Sequence, residues 1–210
     1  MIQLSDHFTY RRLLRFTFPS IIMMIFTSIY GVVDGFFVSN YVGKTSFAAV
    51  NLIMPVLMIL GCVGFMFGTG GAALVAMTLG EKKEKRAREI FSMIVCVSAL
   101  AGLLLAVLGM IFLRPITILL KAEGQLLEDC VLYGRIILSA LPFFVLQYEF
   151  QCLFSTAEKP KLGLLVTVAA GCTNMVLDAL FVAVFNFGVV GAAVATAMSQ
   201  FVGGFIPILY

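Results

Sequence analysis

The sequence predicts an all-α, polytopic membrane protein with six transmembrane helices. Three observations carry that prediction: its composition, the way charges divide its apolar runs, and the uneven distribution of its basic residues. Of 210 residues, 61% are hydrophobic and 12% charged, and mean hydropathy is +1.08. A soluble domain carries about 25% charged residues and about 45–50% apolar ones. A chain this poor in charge is read as membrane-embedded. Its ten N-terminal residues are polar, and the long run that follows lacks a small-residue cleavage pattern, so no cleavable signal peptide is expected.

Span one covers about 16–40, from behind Arg15 to Asn40, with Pro19 near its start. Between Lys44 and Glu81 lie 36 uncharged residues. A helix of that length runs about 50 Å, more than a hydrocarbon core of about 30 Å needs, yet two helices and a turn would not fit. We read one long span at about 45–79, with bends possible at Pro55 or Gly68–Gly71. Span three is about 90–113. Arg114-Pro115 is expected to end it, because proline cannot continue the hydrogen-bond ladder. "PITILLKAEGQLLED" then reads as a short amphipathic connector. Span four is about 130–154, with Arg135 and Glu149 near its ends, their charged heads snorkelling to the interfaces. After "STAEKPK", span five covers about 162–185. The "NFGV" turn leads to span six at about 189–210, where the sequence stops in apolar residues, as a truncated chain would.

Basic residues orient the spans. Ten lie in the N-terminal segment and in the second and fourth loops: Arg11, Arg12, Arg15, Lys82, Lys83, Lys85, Arg86, Arg88, Lys159 and Lys161. Three lie on the opposite side: Lys44, Arg114 and Lys121. The bias places the N-terminus in the cytoplasm. It also accounts for "EKKEKRARE" as a positive-inside loop without a nucleic-acid partner. Cys62, Cys96, Cys130, Cys152 and Cys172 include no CxxC pair, so they read as small packing residues. A single histidine, His7, rules out a histidine-rich metal site.

Two acids lie inside spans: Asp34 in "SIYGVVDGFFVSN" and Asp178 in "GCTNMVLDALFV". A carboxylate at such depth costs several kcal/mol unless it is paired, hydrated or protonated. A structural hydrogen bond between helices is one reading, and an ion or proton site is the other. Counting residues from the outer ends of spans one, five and six puts Asp34, Asp178 and Thr196 at one level, about 10 Å deep at 1.5 Å per residue. Asn174 lies one turn before Asp178, and Tyr30 one turn before Asp34. Asp34, Asn174, Asp178 and Thr196 thus offer four oxygen-bearing groups in one layer. Such a set suits a hard cation such as Na⁺, or a proton shared between two carboxyls. Gly31 and Gly35 would let another helix approach this wall. At a constant offset of 144 residues, "DGFFVSNYVGKTSFAAV" and "DALFVAVFNFGVVGAAV" share their Asp, Phe-Val and Ala-Ala-Val positions, a faint internal repeat.

These motifs resemble the multidrug and toxic compound extrusion (MATE) family. "FPSIIMMIFTSIYGVVDGFFVSNYVG" is similar to the family's first helix, with Pro19, a candidate helix bend, fifteen residues before Asp34 and Tyr30, a cavity or bend candidate, one turn before it. "AAVNLIMPV" is similar to the start of its second helix, and "STAEKPK" to its inner loop after helix four. "GCTNMVLDALFV" carries the Asn-x-x-x-Asp pair, and "GVVGAAVATAMSQ" the threonine of helix six. The likeness covers nearly the whole chain, and the order and spacing of the motifs make it specific. It implies a fold of two six-helix lobes about a central cavity, of which residues 1–210 form the N-terminal lobe. It further implies an antiporter in the cell membrane that exchanges small organic cations for H⁺ or Na⁺, with no other cofactor. In some members the cation is held at positions like Asp34, Asn174, Asp178 and Thr196. The departure is length, since the second lobe is missing and would have to come from the same or another chain.

Other features have plainer readings. The phenylalanines and methionines can line a pliable cavity, but most are expected to face lipid or the core. Gly64 and Gly68 form a GxxxG pattern that lets helices pack closely. Gln147 and Gln151, one turn apart on span four, are cavity candidates. A lipid-linked oligosaccharide flippase of the same superfold would carry more cationic residues inside the spans. A membrane-embedded enzyme would show a cluster of His and acids at an interface, and none is visible. A non-transporting membrane interaction subunit is the third alternative.

Overall fold

The computed structural model describes residues 10–156 and 160–209. His7, Lys159 and Tyr210 lie outside the described residues, as do the side chains of Arg11, Arg12 and Arg15. Six helices make up the fold: α1 (Tyr10–Phe37), α2 (Lys44–Gly80), α3 (Glu84–Leu119), α4 (Gly124–Thr156), α5 (Pro160–Asp178) and α6 (Gly188–Phe205). All six runs are long and apolar enough to cross a membrane. Two of them continue as π-helix, α1 through Val38–Val42 and α5 through Ala179–Val184, and α6 ends in a 3₁₀ turn at Ile206–Leu209.

α2 is a single unbroken helix of 37 residues that runs through Pro55. α3 also continues through a proline. Pro115 does not end it, because the helix extends to Leu119. A proline removes only its own N–H from the ladder, and here the last turn is held by other groups. The Thr117 hydroxyl donates to the Leu113 carbonyl at 2.7 Å, and Leu113 and Thr117 are both buried. The stop comes at a left-handed residue, Lys121 (φ 61°). Lys121 N–H donates to Ile118 O, and Ala122 N–H to Thr117 O, the paired bonds of a Schellman cap. α2 closes in the same way around Lys82 (φ 59°), where Lys82 N–H donates to Leu79 O and Lys83 N–H to Thr78 O. The expected amphipathic connector therefore shrinks to 120–123, and α4 begins six residues before the expected 130. Asp129 tolerates this placement because it accepts hydrogen bonds from Ser46 and Gln125, each at 2.7 Å.

α4 is the central helix, packed against α2, α3 and α6. Most of its apolar stretch is buried, whereas almost none of α1's is. Glycines on its neighbours set the distance of approach. A Cβ on Gly64 of α2 would lie 2.3 Å from the Val145 carbonyl oxygen, and one on Gly68 would lie 2.9 Å from Glu149 Cα. On α6, a Cβ on Gly204 would lie 2.3 Å from the Phe143 carbonyl oxygen. On α3, a Cβ on Gly102 would meet Pro142 Cα at 3.0 Å. Without a hydrophobic driving force between helices in lipid, close backbone packing of this kind supplies the dispersion energy. The GxxxG reading of Gly64 and Gly68 holds. The seam is filled from α4 by Ile137, Leu138, Leu141 and Val145, with Ile53 and Leu57 of α2.

α1 stands apart from this centre and packs mainly on α5. Met24, Ile25, Ile29, Val32 and Phe36 are exposed along its outer side. The faint 144-residue repeat has a structural counterpart. α2 starts at Lys44 and α6 at Gly188, the same offset, and each follows a helix that ends in a π segment. Within those segments Val38 and Val182 are buried, and Ala49 and Ala193, the second alanines of the two Ala-Ala-Val motifs, are fully enclosed.

The cysteines are free thiols. Cys130 is buried and donates weakly to the Ala49 carbonyl at 3.4 Å, while Cys62, Cys96 and Cys172 are exposed.

Two glycine substitutions separate the packing argument from helix propensity. Gly64→Ala drives a methyl into the Val145 carbonyl and should cost about 1–3 kcal/mol. Gly31→Ala, with nothing within 4 Å of the new atom, should be neutral or stabilising by up to about 1 kcal/mol. Thermal unfolding in detergent, followed by loss of the monodisperse peak, reads both. Equal midpoints for the two variants would show that the α2–α4 approach does not limit stability.

Candidate functional site

The π segments begin beside the two membrane acids. Asp178 is the last α-helical residue of α5, and Asp34 lies one turn before Val38 on α1. π turns interrupt the regular ladder and recur at functional sites. α1 and α5 reach each other because of Gly171. A Cβ there would lie 2.5 Å from Phe26 Cε1 and 3.0 Å from Tyr30 Cδ1. The close approach expected of Gly31 and Gly35 is not made by those residues. Gly31 has no neighbour within 4 Å, and Gly35 only Phe47 at 3.9 Å. Gly31 is exposed and Gly35 half-buried with room to spare, so the close contact is made at Gly171 on the α5 side instead.

The carboxyl groups of Asp34 and Asp178 lie close enough to interact directly. Asp178 is fully buried and Asp34 partly so. Asn174, one turn before Asp178, points its amide nitrogen at Thr196 Oγ1, 3.5 Å away on α6. All four residues of the predicted layer therefore meet at the junction of α1, α5 and α6. A fifth, Tyr133 of α4, joins them. It is 1% exposed, and its hydroxyl lies near Thr196 and both carboxyls without closing a hydrogen bond of good geometry.

What distinguishes this layer is its unmet hydrogen-bonding capacity. Asp34 Oδ1, Asn174 Oδ1, both Asp178 oxygens and Tyr133 Oη are buried without a partner. Buried polar atoms in folded proteins are nearly always paired, and an orphan costs about 1–3 kcal/mol. Two ionised carboxylates repel and offer each other no donor, so a proton or a cation between them would relieve the pair. An all-oxygen set of acceptors fits a hard cation as well as it fits a shared proton. No group of three or more His, Cys, Asp or Glu side chains occurs among the described residues, so a transition-metal centre is not formed by them.

Tyr133 went unread in the sequence for a definite reason. With span four starting at 130, it sits at the membrane interface, where tyrosines are commonplace. With α4 starting at Gly124, it lies nine residues along the helix, about 14 Å from the start. Depth counting from the corrected start would have found it.

The other candidates fall in different places. Pro19 is buried within α1 and does not break it. Tyr30 lies between α1 and α5, close to Asp34 and Tyr148. Gln147 is a buried residue of α4. It is buried against Gly203 of α6, where a Cβ would come within 2.5 Å of its Cδ. Gln151 is half-buried and donates to Thr167 at 3.4 Å. Gln200, not singled out in the sequence, is buried with its Oε1 unpartnered. Arg135 is exposed but lies eleven residues into α4, deeper than Tyr133 and not at the helix end where it was expected, and Glu149 is fully enclosed and bonded to Ser98. The correction follows from the face of α4 that Glu149 occupies, turned toward Gly68 of α2 and Ser98 of α3.

Comparison with known proteins agrees with this architecture. The MatE family model matches residues 19–180. The multidrug export protein MepA of Staphylococcus haemolyticus is 26% identical over 201 residues, covering 96% of this chain and 44% of its own length. Among solved structures, a MATE protein in complex with MaD3S superposes with a TM-score of 0.87 at 26% identity, over 92% of this chain and 43% of that one. An outward-facing multidrug resistance MATE family transporter of the MOP superfamily gives 0.86 at 26% identity, with the same coverage. The chain thus spans a little under half the length of the relatives it matches. With the family model covering most of it and its six helices superposing on solved members, the chain belongs to the MATE family.

Proposed function

We propose that this chain is the N-terminal lobe of a secondary antiporter that exports organic cations in exchange for H⁺ or Na⁺. The observation that carries the reading is the pair of membrane carboxyls, Asp34 and Asp178, left with unpartnered oxygens beside Asn174, Thr196 and Tyr133. Such a layer is costly for a purely structural role and suited to reversible occupancy. The similarity to MepA, a multidrug export protein, supports the transport class. The second lobe completes the central cavity, and the basic loops keep the N-terminus in the cytoplasm of a cell-membrane protein.

In this reading Asp34 and Asp178 take up the coupling ion from the outside. Asn174 and Thr196 contribute neutral oxygens, and Tyr133 closes the layer from α4. Neutralising the acids lowers the attraction for a cationic drug and changes the packing of α1 on α5. The lobes then rock to face the cytoplasm. Coupling requires that ion and drug favour different states of the same protein.

Asp34→Asn should abolish drug efflux from cells expressing the full-length protein while leaving its amount in the membrane unchanged. Undiminished efflux would remove Asp34 from the coupling site. Asp178→Asn should alter the dependence of transport on Na⁺ and pH gradients, measured with each gradient imposed separately on proteoliposomes.

The same pair makes a stability prediction. In Na⁺-free buffer at a pH alkaline enough to ionise both carboxyls, Asp178→Asn supplies an amide donor to Asp34 and removes a like charge. The midpoint of thermal unfolding should rise by a few degrees, the size expected of about 1 kcal/mol. Where Na⁺ binds the parent protein, the ion should narrow that gap. A variant no more stable than the parent in Na⁺-free buffer would show that the pair is already compensated.

A further inference from the structure

Glu149 is the one fully enclosed carboxylic acid outside the Asp34–Asp178 layer among the described residues. Asp129, the other buried acid of α4, is partly reached by solvent and accepts two hydrogen bonds. Glu149 lies sixteen residues beyond Tyr133 along α4, about 24 Å further down the helix. It sits in the seam that the glycines create. From α2 it meets the backbone at Gly68, from α3 the hydroxyl of Ser98, and along α4 the Cys152 thiol. No Lys, Arg or His is paired with it among the described residues.

Ser98 carries too few protons to satisfy an ionised Glu149. Ser98 Oγ has one hydrogen and two acceptors within reach, the Val95 carbonyl at 3.0 Å and Glu149 Oε2. If the hydroxyl serves Val95, an ionised Glu149 has no donor at either oxygen, since Oε1 is already without a partner. If it serves Glu149, one donor is left to offset a whole enclosed charge. A proton on Oε2 resolves both: Glu149 donates to Ser98 Oγ, and Ser98 donates to Val95 O. An enclosed charge without a cation is far costlier than a neutral acid with one hydrogen bond.

We propose that Glu149 is a second proton-binding site of this chain, holding the neutral acid at neutral pH between α2, α3 and α4. The exchange involves only the carboxyl and water: the acid gives up its proton to water and becomes a carboxylate, and regains it in the reverse step. Because the glycine seam excludes water, that release requires the seam to open. The site is independent of the coupling ion used at Asp34 and Asp178.

Infrared spectra of the full-length protein in lipid vesicles at neutral pH test this directly, since a protonated carboxyl has its own C=O stretch. The background is D34N/D178N, which silences the other pair. That background should retain a protonated-carboxyl band, and adding Glu149→Gln should remove it. Ser98→Ala should keep the band and shift it to higher frequency, because the acid loses its acceptor. If Glu149→Gln leaves the protonated band at full intensity, or removes carboxylate absorption instead, the proposal fails. If the glutamine variant does not fold, Ser98→Ala still decides, because an unshifted band there overturns the assignment. Drug efflux is not part of the readout, so failure here is separate from failure of the antiport reading.

Discussion

The approach of α4's backbone to its neighbours is the constraint on which the rest of this lobe depends. Gly64 and Gly68 on α2, Gly102 on α3 and Gly204 on α6 each leave no room for a side chain where they meet α4. Lipid gives the helices no hydrophobic reason to associate, so contact area has to come from proximity. That proximity fixes the depth of every polar group on α4. Tyr133 is brought to the level of the two aspartates, and Glu149 is carried into a dry seam rather than to an interface. Asp129 meets Ser46 near the start of the same helix.

Two kinds of buried polar group result. Asp129 has its partners and reads as structural. The Asp34–Asp178 layer leaves five oxygens without partners in one small region. The contrast matters more than burial alone, because a fold that satisfies one enclosed acid with two neutral donors has left another pair unsatisfied. In the antiport reading proposed above, that deficit is where the coupling ion resides.

Much of this was legible in the sequence because the bilayer simplifies inference. Charges mark span ends, basic residues give the expected orientation, and a residue count converts directly to depth. Asp34, Asn174, Asp178 and Thr196 could be gathered into one layer on that basis alone. The misreadings came where one local rule was applied without tertiary context. Proline was expected to end α3, but Pro115 sits one turn before a well-capped terminus, and the hydroxyl of Thr117 steadies the turn. The late start given to span four left Tyr133 unread, and Glu149 was placed at a boundary because its closeness to the span's end says nothing of the face it occupies. Gly31 and Gly35 lie on the right helix but with room to spare, and Gly171 on α5 does their expected work. Which side of a uniformly apolar helix faces a neighbour is the information that such a sequence carries least clearly.

The two π segments have a mechanical consequence. A π turn holds one residue more than the α turn it replaces. If that extra residue moved along the helix, everything it passed would rotate by about 100° and advance by about 1.5 Å. Such travel keeps the helix intact while re-aiming a side chain, in the manner of a ruck moved along a carpet. Because one segment follows Asp34 and the other follows Asp178, each acid sits where a small peristaltic shift would turn it towards or away from its partner.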